Sequence, residues 1–503
     1  MNNKDGIGSE ETKADIALLD GLLGVEARKP GKAASLPAAI RIIETLEPAG
    51  GKDIPVFPAS YAGANDQSPP VYDLAGIEYG EHEETVRVKN STAKVRQILR
   101  ARLCAIGSPQ SQANRMEPAF LESDDLVALV PQAAAKIPKR EIYQDSVLLM
   151  PHRVADFRVR LSNRASDVSS AITSFQKGDA LPLLRLFPTS LIFGFWNSRG
   201  EEEHGVKHAR MLLSRIDAHD VIPCRRHSLY SGPYSRDEFA EVVLGREDKQ
   251  MSKEDGDKLS KEGFSSAPSD SLGGVLVQDR IERTSVLSLS DLARIHCDKP
   301  DSDQTQSSSE QLTNAARRYL FALAALAEGH ERSKGSHRLR SGCELIAVEE
   351  PKFELRGAKT ADADKLETLY RDRARLIAIA TEAKKILFIP STLGDFIVSA
   401  ETLRGEVLGA SELAKEIEKL TKEAEKAEEK AAKVEQEAIE KESKAAESNQ
   451  KRDQTAATKA REKATKIRQE ADEAQSKLSA KSDGNTSSAG DSANENPDGP
   501  TSA

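Results

Sequence analysis

Residues 182–200 read PLLRLFPTSLIFGFWNSRG, and EEEHGVKHARMLLSRIDAHDV follows directly. Between Pro188 and the turn Asn197-Ser198-Arg199-Gly200 lies a short apolar run, Ser190 to Trp196, rich in branched and aromatic side chains. A run of that length bounded by turn residues predicts one buried strand ending at a loop. Past the loop, Val206, Met211, Leu212, Ile216 and Val221 keep a roughly helical spacing, with Lys207, His208, Arg210 and Arg215 between them. The expectation is a core strand that delivers a polar, basic loop to a surface, with a helix beginning beside it. Loop amides and a helix start favour anions, so such a place can hold a phosphate. The same pattern also describes a plain core strand and its turn.

Charge around this stretch separates those readings. The 503-residue chain carries a formal net charge of −9, which as a whole argues against nucleic acid. The charge is unevenly spread. From Lys94 to Arg236 there are 21 Lys and Arg against 14 Asp and Glu, and 16 of the 21 are Arg. Arginine presents a planar fork suited to phosphate oxygens and base edges, so an Arg-rich block in an acidic chain points to a nucleic-acid face. A solvated surface of mixed charge is the plainer alternative.

Three further segments supply polar groups. SPQSQANRMEP (108–118) reads as a loop and holds Gln110, Gln112, Asn114 and Arg115. Amides plus an arginine can bond sugar hydroxyls, phosphates and base edges, although a turn bonding its own backbone uses the same residue types. LLMPHRVADFRVRLSNR (148–164) places Arg153, Arg158, Arg160 and Arg164 after an apolar start, and a helical reading gives it a basic face. His152 could titrate near neutrality, but no nucleophile or metal-spaced partner accompanies it. In HRLRSGCEL (337–345), strand alternation puts Arg338 and Arg340 on one face opposite Leu339.

These blocks, SPQSQANRMEP, LLMPHRVADFRVR, PTSLIFGFWNSRG and HRLRSGCEL, occur in this order over residues 60–350. Together they resemble the backbone subunit of type I-G (formerly I-U) CRISPR interference complexes, a RAMP-superfamily family. The family pattern more often has Asp where Asn197 stands, so no ionised carboxylate is assigned there. The resemblance implies an RRM-like palm whose copies stack along the guide portion of a CRISPR RNA, leaving the bases free to pair with target DNA. Its expected partners are guide RNA, target DNA through the guide, further copies of the chain and other CRISPR complex subunits. The expected RNA-binding residues are Gln112, Asn114, Arg115, His152, Arg153, Arg158, Arg164, Asn197, Arg199, Lys207, Arg210, Arg338 and Arg340. No catalytic residue, metal or cofactor is expected.

The rest of the chain sets the domain plan. Its N-terminus lacks an apolar signal region, and no run of about 18 apolar residues occurs, so a cytoplasmic protein without membrane contact is expected. Cys104, Cys224, Cys297 and Cys343 are far apart and read as reduced residues. Gly24 to Lys32 superficially resembles a phosphate loop, but the spacing is wrong and Ala33 stands where Ser or Thr is required. His204 and His208 are four residues apart without a third ligand, so no zinc site is assigned. Helices are expected at 37–46, 91–104, 311–328, 362–385 and 393–405, and strands at 84–88, 335–348 and in ILFIP (386–390).

From Leu413 to Ala438 small and apolar residues keep a strict 4,3 spacing. Ala457 to Leu478 does the same in a shifted phase. This predicts an Ala-rich antiparallel coiled-coil hairpin, with one stuttering helix as the alternative. The fold class is therefore α+β: an RRM-like (ferredoxin-like) palm with large insertions plus a C-terminal α-helical coiled-coil hairpin. Residues 1–60 are an N-terminal helical segment and loop, and 61–409 the RNA-binding core with a flexible insertion at 245–273. The hairpin spans 410–480, and 481–503 form a disordered tail. A RAMP-type endoribonuclease using His152, His208 or His227 is the rival function, and a scaffold acting through the coiled coil a third.

Overall fold

In Pro37–Pro48, Ile40, Ile42, Glu44 and Leu46 are buried at every second position. A period of two belongs to a strand, and the β-branched isoleucines favour it over the helix expected at 37–46. The computed structural model describes residues 10–63, 70–86, 91–139, 145–198, 205–230, 267–300, 307–447 and 451–486. Arg199, His204, residues 245–266 of the expected insertion and residues 487–503 lie outside that set.

Nine strands build the main sheet: β1 Pro37–Pro48, β2 Leu74–Val86, β3 Ser91–Gly107, β4 Leu212–Tyr230, β5 Ala267–Val277, β6 Ile281–Ser288, β7 His337–Arg340, β8 Cys343–Ala347 and β9 Lys352–Gly357. Their order is β7-β8-β1-β6-β4-β3-β2, with β9 also on β1 and β5 also on β4. The pairings are antiparallel. β1 and β4 are therefore parallel, joined through a helical connection, with β6 between them. After the long helix Ser309–Ser333 the chain returns beside β1. This is the 4-1-3-2 order of a ferredoxin-like palm, enlarged by the β2–β3 hairpin beyond β4. The fold is α+β, as expected.

Seven helices bear on the argument: α1 Glu10–Leu23, α2 Pro109–Met116, α3 Pro188–Phe193, α4 Ser309–Ser333, α5 Ala363–Arg371, α6 Arg373–Leu387 and α7 Ala400–Glu447. An eighth, α8, spans Lys451–Thr486. The apolar segment at 311–328 forms the centre of α4, started by a capping box between Ser308 and Gln311. Several of its buried polar residues are paired: Arg317 donates to the carbonyls of Ile295 and Leu23, Arg318 pairs with Asp20, and the Tyr319 hydroxyl donates to Leu129 O.

Several expectations are corrected. The segment 91–104 is part of strand β3, with Arg100 and Arg102 outward and Ala101 and Cys104 inward. The helix expected at 362–385 is two helices, because Asp372 turns out of helical backbone and its side chain caps α6 through Arg375 N. ILFIP is not a strand: α6 runs to Leu387 and ends on Phe388 in the left-handed region. The segment 335–348 is two strands rather than one, turning at Gly342 with φ +73°. Residues 267–273 of the expected insertion belong to β5, and 481–486 of the expected tail continue α8. All four cysteines are free.

The described residues gather into two compact units. One comprises Met1–Ala133, Ser146–Asp156 and Asp167–Gly394; the other comprises Ala134–Asp145, Phe157–Ser166 and Asp395–Ala503. In the second, Ala134–Lys136 pairs in parallel with Phe396–Ile397. Asn163 and Ile397 exchange two hydrogen bonds, of 2.9 and 2.8 Å. Helices α7 and α8 form the antiparallel hairpin. Ala431, Ile467 and Ala471 pack at its centre, and the Arg468–Glu428 ion pair spans it at 2.7 Å. Alanine at the seam allows close approach while burying little area.

Candidate nucleic-acid interface

The organising stretch is a short helix followed by a strand, not one strand. Pro188 occupies the first turn of α3, where its missing N–H costs nothing. All six residues of α3 are buried. Gly194 then takes φ +75°, and a Cβ there would meet His208 O at 2.8 Å. The glycine is thus required both for backbone angle and for space. Beyond it, Phe195–Asn197 pairs antiparallel with Val206–His208, in the register Phe195↔His208, Trp196↔Lys207 and Asn197↔Val206. The helix expected after the loop is absent among the described residues. That spacing belongs to a hairpin arm and to β4.

The hairpin has two distinct faces. Inward, Phe195 and His208 pack with Phe175; the His208 ring meets Phe175 edge-on at 5.0 Å, and its Nε2 lies 2.9 Å from Leu191 O. Burial lowers the His208 pKa, so the imidazole is held neutral as a structural group. Outward, Trp196 is 64% exposed, and Lys207 Nζ lies 5.7 Å from its ring centroid. Asn197 is half-buried.

Beneath the hairpin, three of the sequence blocks meet at one residue. Arg153 is 3% exposed and sits in a tight turn, Arg153–Ala155, with φ +53°. Its Nε donates to Glu117 Oε2 at 2.8 Å, its Nη2 to Asn114 Oδ1 at 3.2 Å, and its Nη1 approaches Gly194 O at 3.5 Å. The guanidinium also lies 5.4 Å from the Phe193 ring centroid, and the adjoining Val154 N donates to Ser190 Oγ. Glu117, 2% exposed, has its pKa raised by burial, which the Arg153 charge opposes. Arg153 therefore ties α2, the HRVA turn and α3 together rather than facing solvent.

The other candidates divide in the same way. Helix α2, where a loop was expected, is capped by Ser108 and has Pro109 in its first turn. Gln112 is fully buried beside Gly107. Arg115 donates to the carbonyls of Arg338 and Leu339, and Arg340 to those of Phe57 and Ile106. Arg338 is exposed and Arg340 partly buried, with a register irregularity between them, while His337 and Leu339 are buried. His152 and Lys207 are exposed.

Arg210 is half-buried and its Nε has no hydrogen-bond partner. Burial and then the like charge of Arg153 lower its pKa. The structure thus connects Arg340, Arg115, Asn114, Arg153 and the Gly194 hairpin within one unit. Arg158 and Arg164 belong to the other unit, where Arg164 lies over the Phe396 ring at 5.1 Å and Arg158 beside Phe157 at 5.9 Å.

Trp196 was missed among the candidates. Its signal in sequence is only that the chain's single tryptophan abuts a polar turn. Among the described residues no group of three or more His, Cys, Asp and Glu is arranged to hold a metal ion. No helix among them is long and apolar enough to cross a membrane. No curated protein matches the chain. Residues 40–223, which run from β1 through α2, the Arg153 turn and the hairpin into β4, match the family model of CRISPR-associated protein GSU0053 (Cas_GSU0053), so this part of the chain is similar to a CRISPR-associated family.

Proposed function

We propose that the chain is a non-catalytic, RNA-binding backbone subunit of a type I-G CRISPR effector complex, stacked in several copies along the guide RNA. The observation that carries this reading is the convergence of three separated blocks on the buried Arg153–Glu117 pair, under an outward hairpin. That convergence lies inside the CRISPR-associated match and on a ferredoxin-like palm. Such a support holds a surface in fixed geometry at each repeat along a strand. Contacts would go to phosphate and sugar, leaving guide bases to read target DNA by pairing.

The candidate residues then take two roles. Lys207, Arg338 and His152 are exposed and able to reach RNA, and Arg210 is half-exposed. Arg153, Arg115, Arg340, Asn114 and Gln112 position the elements that carry them. Arg158 and Arg164, in the second unit, are proposed as RNA contacts of that unit. The protein would work in the cytoplasm, where guide RNA is made.

The test is expression together with a CRISPR array, then sizing and sequencing of the copurified nucleic acid. Guide-length RNA bearing array spacers is expected. Absence of RNA, or random cellular RNA, would overturn the reading. Guide precursor incubated with the purified chain, with and without Mg²⁺, should remain intact. Cleavage abolished by His152→Ala would replace this reading with the nuclease one.

A further inference from the structure

The only tryptophan of the chain is among its most exposed large side chains. Leaving an indole ring in water forgoes the burial that usually places Trp inside, so its position needs a reason. The exposure is built into the backbone. Gly194 and Gly205 let the two arms of the hairpin meet where a Cβ would approach carbonyl oxygens at 2.8 and 2.5 Å. Phe195 and His208 are fixed inward against Phe175. Strand alternation then forces Trp196 and its partner Lys207 outward.

Cations accompany the ring. Lys207 Nζ lies 5.7 Å from its centroid. Two residues back along the arm, roughly 6–7 Å of extended chain, Gly194 abuts the side chain of Arg210, a half-buried residue. A protein-docking hot spot sits in an apolar, water-excluding cluster. Among the described residues, the ring of Trp196 instead has the Lys207 ammonium over it. One aromatic face with cations at nucleotide distances suits single-stranded nucleic acid, because every base has a π-face and every link a phosphate.

We propose that Trp196 is a stacking platform for an unpaired nucleobase, with Lys207 and Arg210 meeting the adjoining phosphates. This rests on the RNA-binding reading and assigns it a residue that recognises bases without regard to sequence.

The single tryptophan makes the test direct. The full chain is titrated with 20-nucleotide oligouridylate and oligoadenylate while Trp fluorescence and affinity are followed. Quenching by both oligonucleotides is expected. Trp196→Ala should bind roughly 5- to 100-fold more weakly, and Trp196→Phe, which keeps a π-face, should recover most of the loss. Because the side chain is exposed, both variants should melt with the wild type. Lys207→Ala should reduce the salt slope by up to about 0.7.

RNA binding without quenching, and with Trp196→Ala equal to wild type, would overturn the stacking role while leaving the proposed function standing. No binding by the wild-type chain would overturn both. A fluorescence change on raising protein concentration alone would instead make Trp196 a contact between copies of the chain, and would also overturn the proposal.

Discussion

Arg153→Ala gives the sharpest test of what the arginines do. If Arg153 touches phosphate, the substitution leaves folding intact and lowers the salt slope of RNA binding. The structure leads to a different outcome. Arg153 and Glu117 are 3% and 2% exposed and share a 2.8 Å hydrogen bond. Removing one member strands the other's charge in the interior, which costs about 3–5 kcal/mol. Hydrogen bonds to Asn114 and to backbone carbonyls go with it. By size scaling, such a loss lowers Tm by roughly 6–20 °C, with the smaller values fitting a large unit.

The double variant Arg153→Met with Glu117→Leu removes both charges and keeps apolar volume, so it should recover much of that stability. Arg153→Gly should lie about 1 kcal/mol above Arg153→Ala, because only glycine adopts φ +53° without strain. Thermal and urea unfolding at constant m-value measure all four proteins. A Tm for Arg153→Ala within a degree of wild type, with RNA affinity reduced, would refute this argument and restore Arg153 to the RNA surface.

Gly194→Ala should cost about 1–3 kcal/mol, since it combines a left-handed backbone with a Cβ 2.8 Å from His208 O. The measurements are Tm and the Trp196 emission maximum. A second buried cluster sets a pH dependence. Glu44 pairs with Arg283 and His337, and Glu331 faces His337 at 3.8 Å. Burial opposes protonation of His337, but Glu331 and Glu44 outweigh it and raise its pKa, while the pKa values of Glu44 and Glu331 are lowered.

The His337 contribution is therefore complete below about pH 6.5, its unfolded value, and is lost as pH rises through the folded one. The two carboxylates contribute above about pH 4.3 and lose their contribution as pH falls further. Urea midpoints from pH 4 to 9 should fall on the alkaline side, and His337→Gln should flatten that limb. A chain ending at Gly409 should fold and bind RNA, because the hairpin beyond it buries mostly alanine. Loss of RNA binding by a folded truncated chain would place the hairpin in the RNA site.

Long, strongly patterned elements were legible. The apolar face of α4 and the 4,3 alanine spacing of α7 and α8 each specify a helix through more than three turns, so no single residue decides the outcome. Short segments rich in Ile, Val and Arg were not. At 37–46 and 91–104 several apolar residues fit both a period of two and one of 3.6. The sheet partners of β1 and β3, which decide between them, lie as far away as Gly357 opposite Pro37, 320 residues along the chain. In 190–196 the deciding feature is Gly194. A glycine inside an apolar run reads as part of a strand until its positive φ and its approach to His208 are seen.

The site was legible as a set of blocks but not as a set of roles. An arginine count sees charge, whereas function depends on what each guanidinium meets. Arg153 and Lys207 both lie in basic stretches, yet Arg153 faces Glu117 in the interior and Lys207 faces water over Trp196. The separating information was present at Glu117, a lone carboxylate next to Pro118 in a block otherwise free of acids. A carboxylate of that kind, adjoining buried Met116 and Ala119, must be either exposed or paired, and an arginine is the partner that satisfies it. Tracing such obligate carboxylates first removes the structural arginines from an Arg-rich block. Among the described candidates of the first unit, the residues that face water are then Lys207, Arg338, His152 and Asn114, whose Oδ1 also accepts from Arg153, while Arg210 and Asn197 are half-buried. These are few, and they are mostly outside the interior network, so substitutions at Lys207 and Arg338 should change RNA binding with little change in Tm, the reverse of Arg153→Ala.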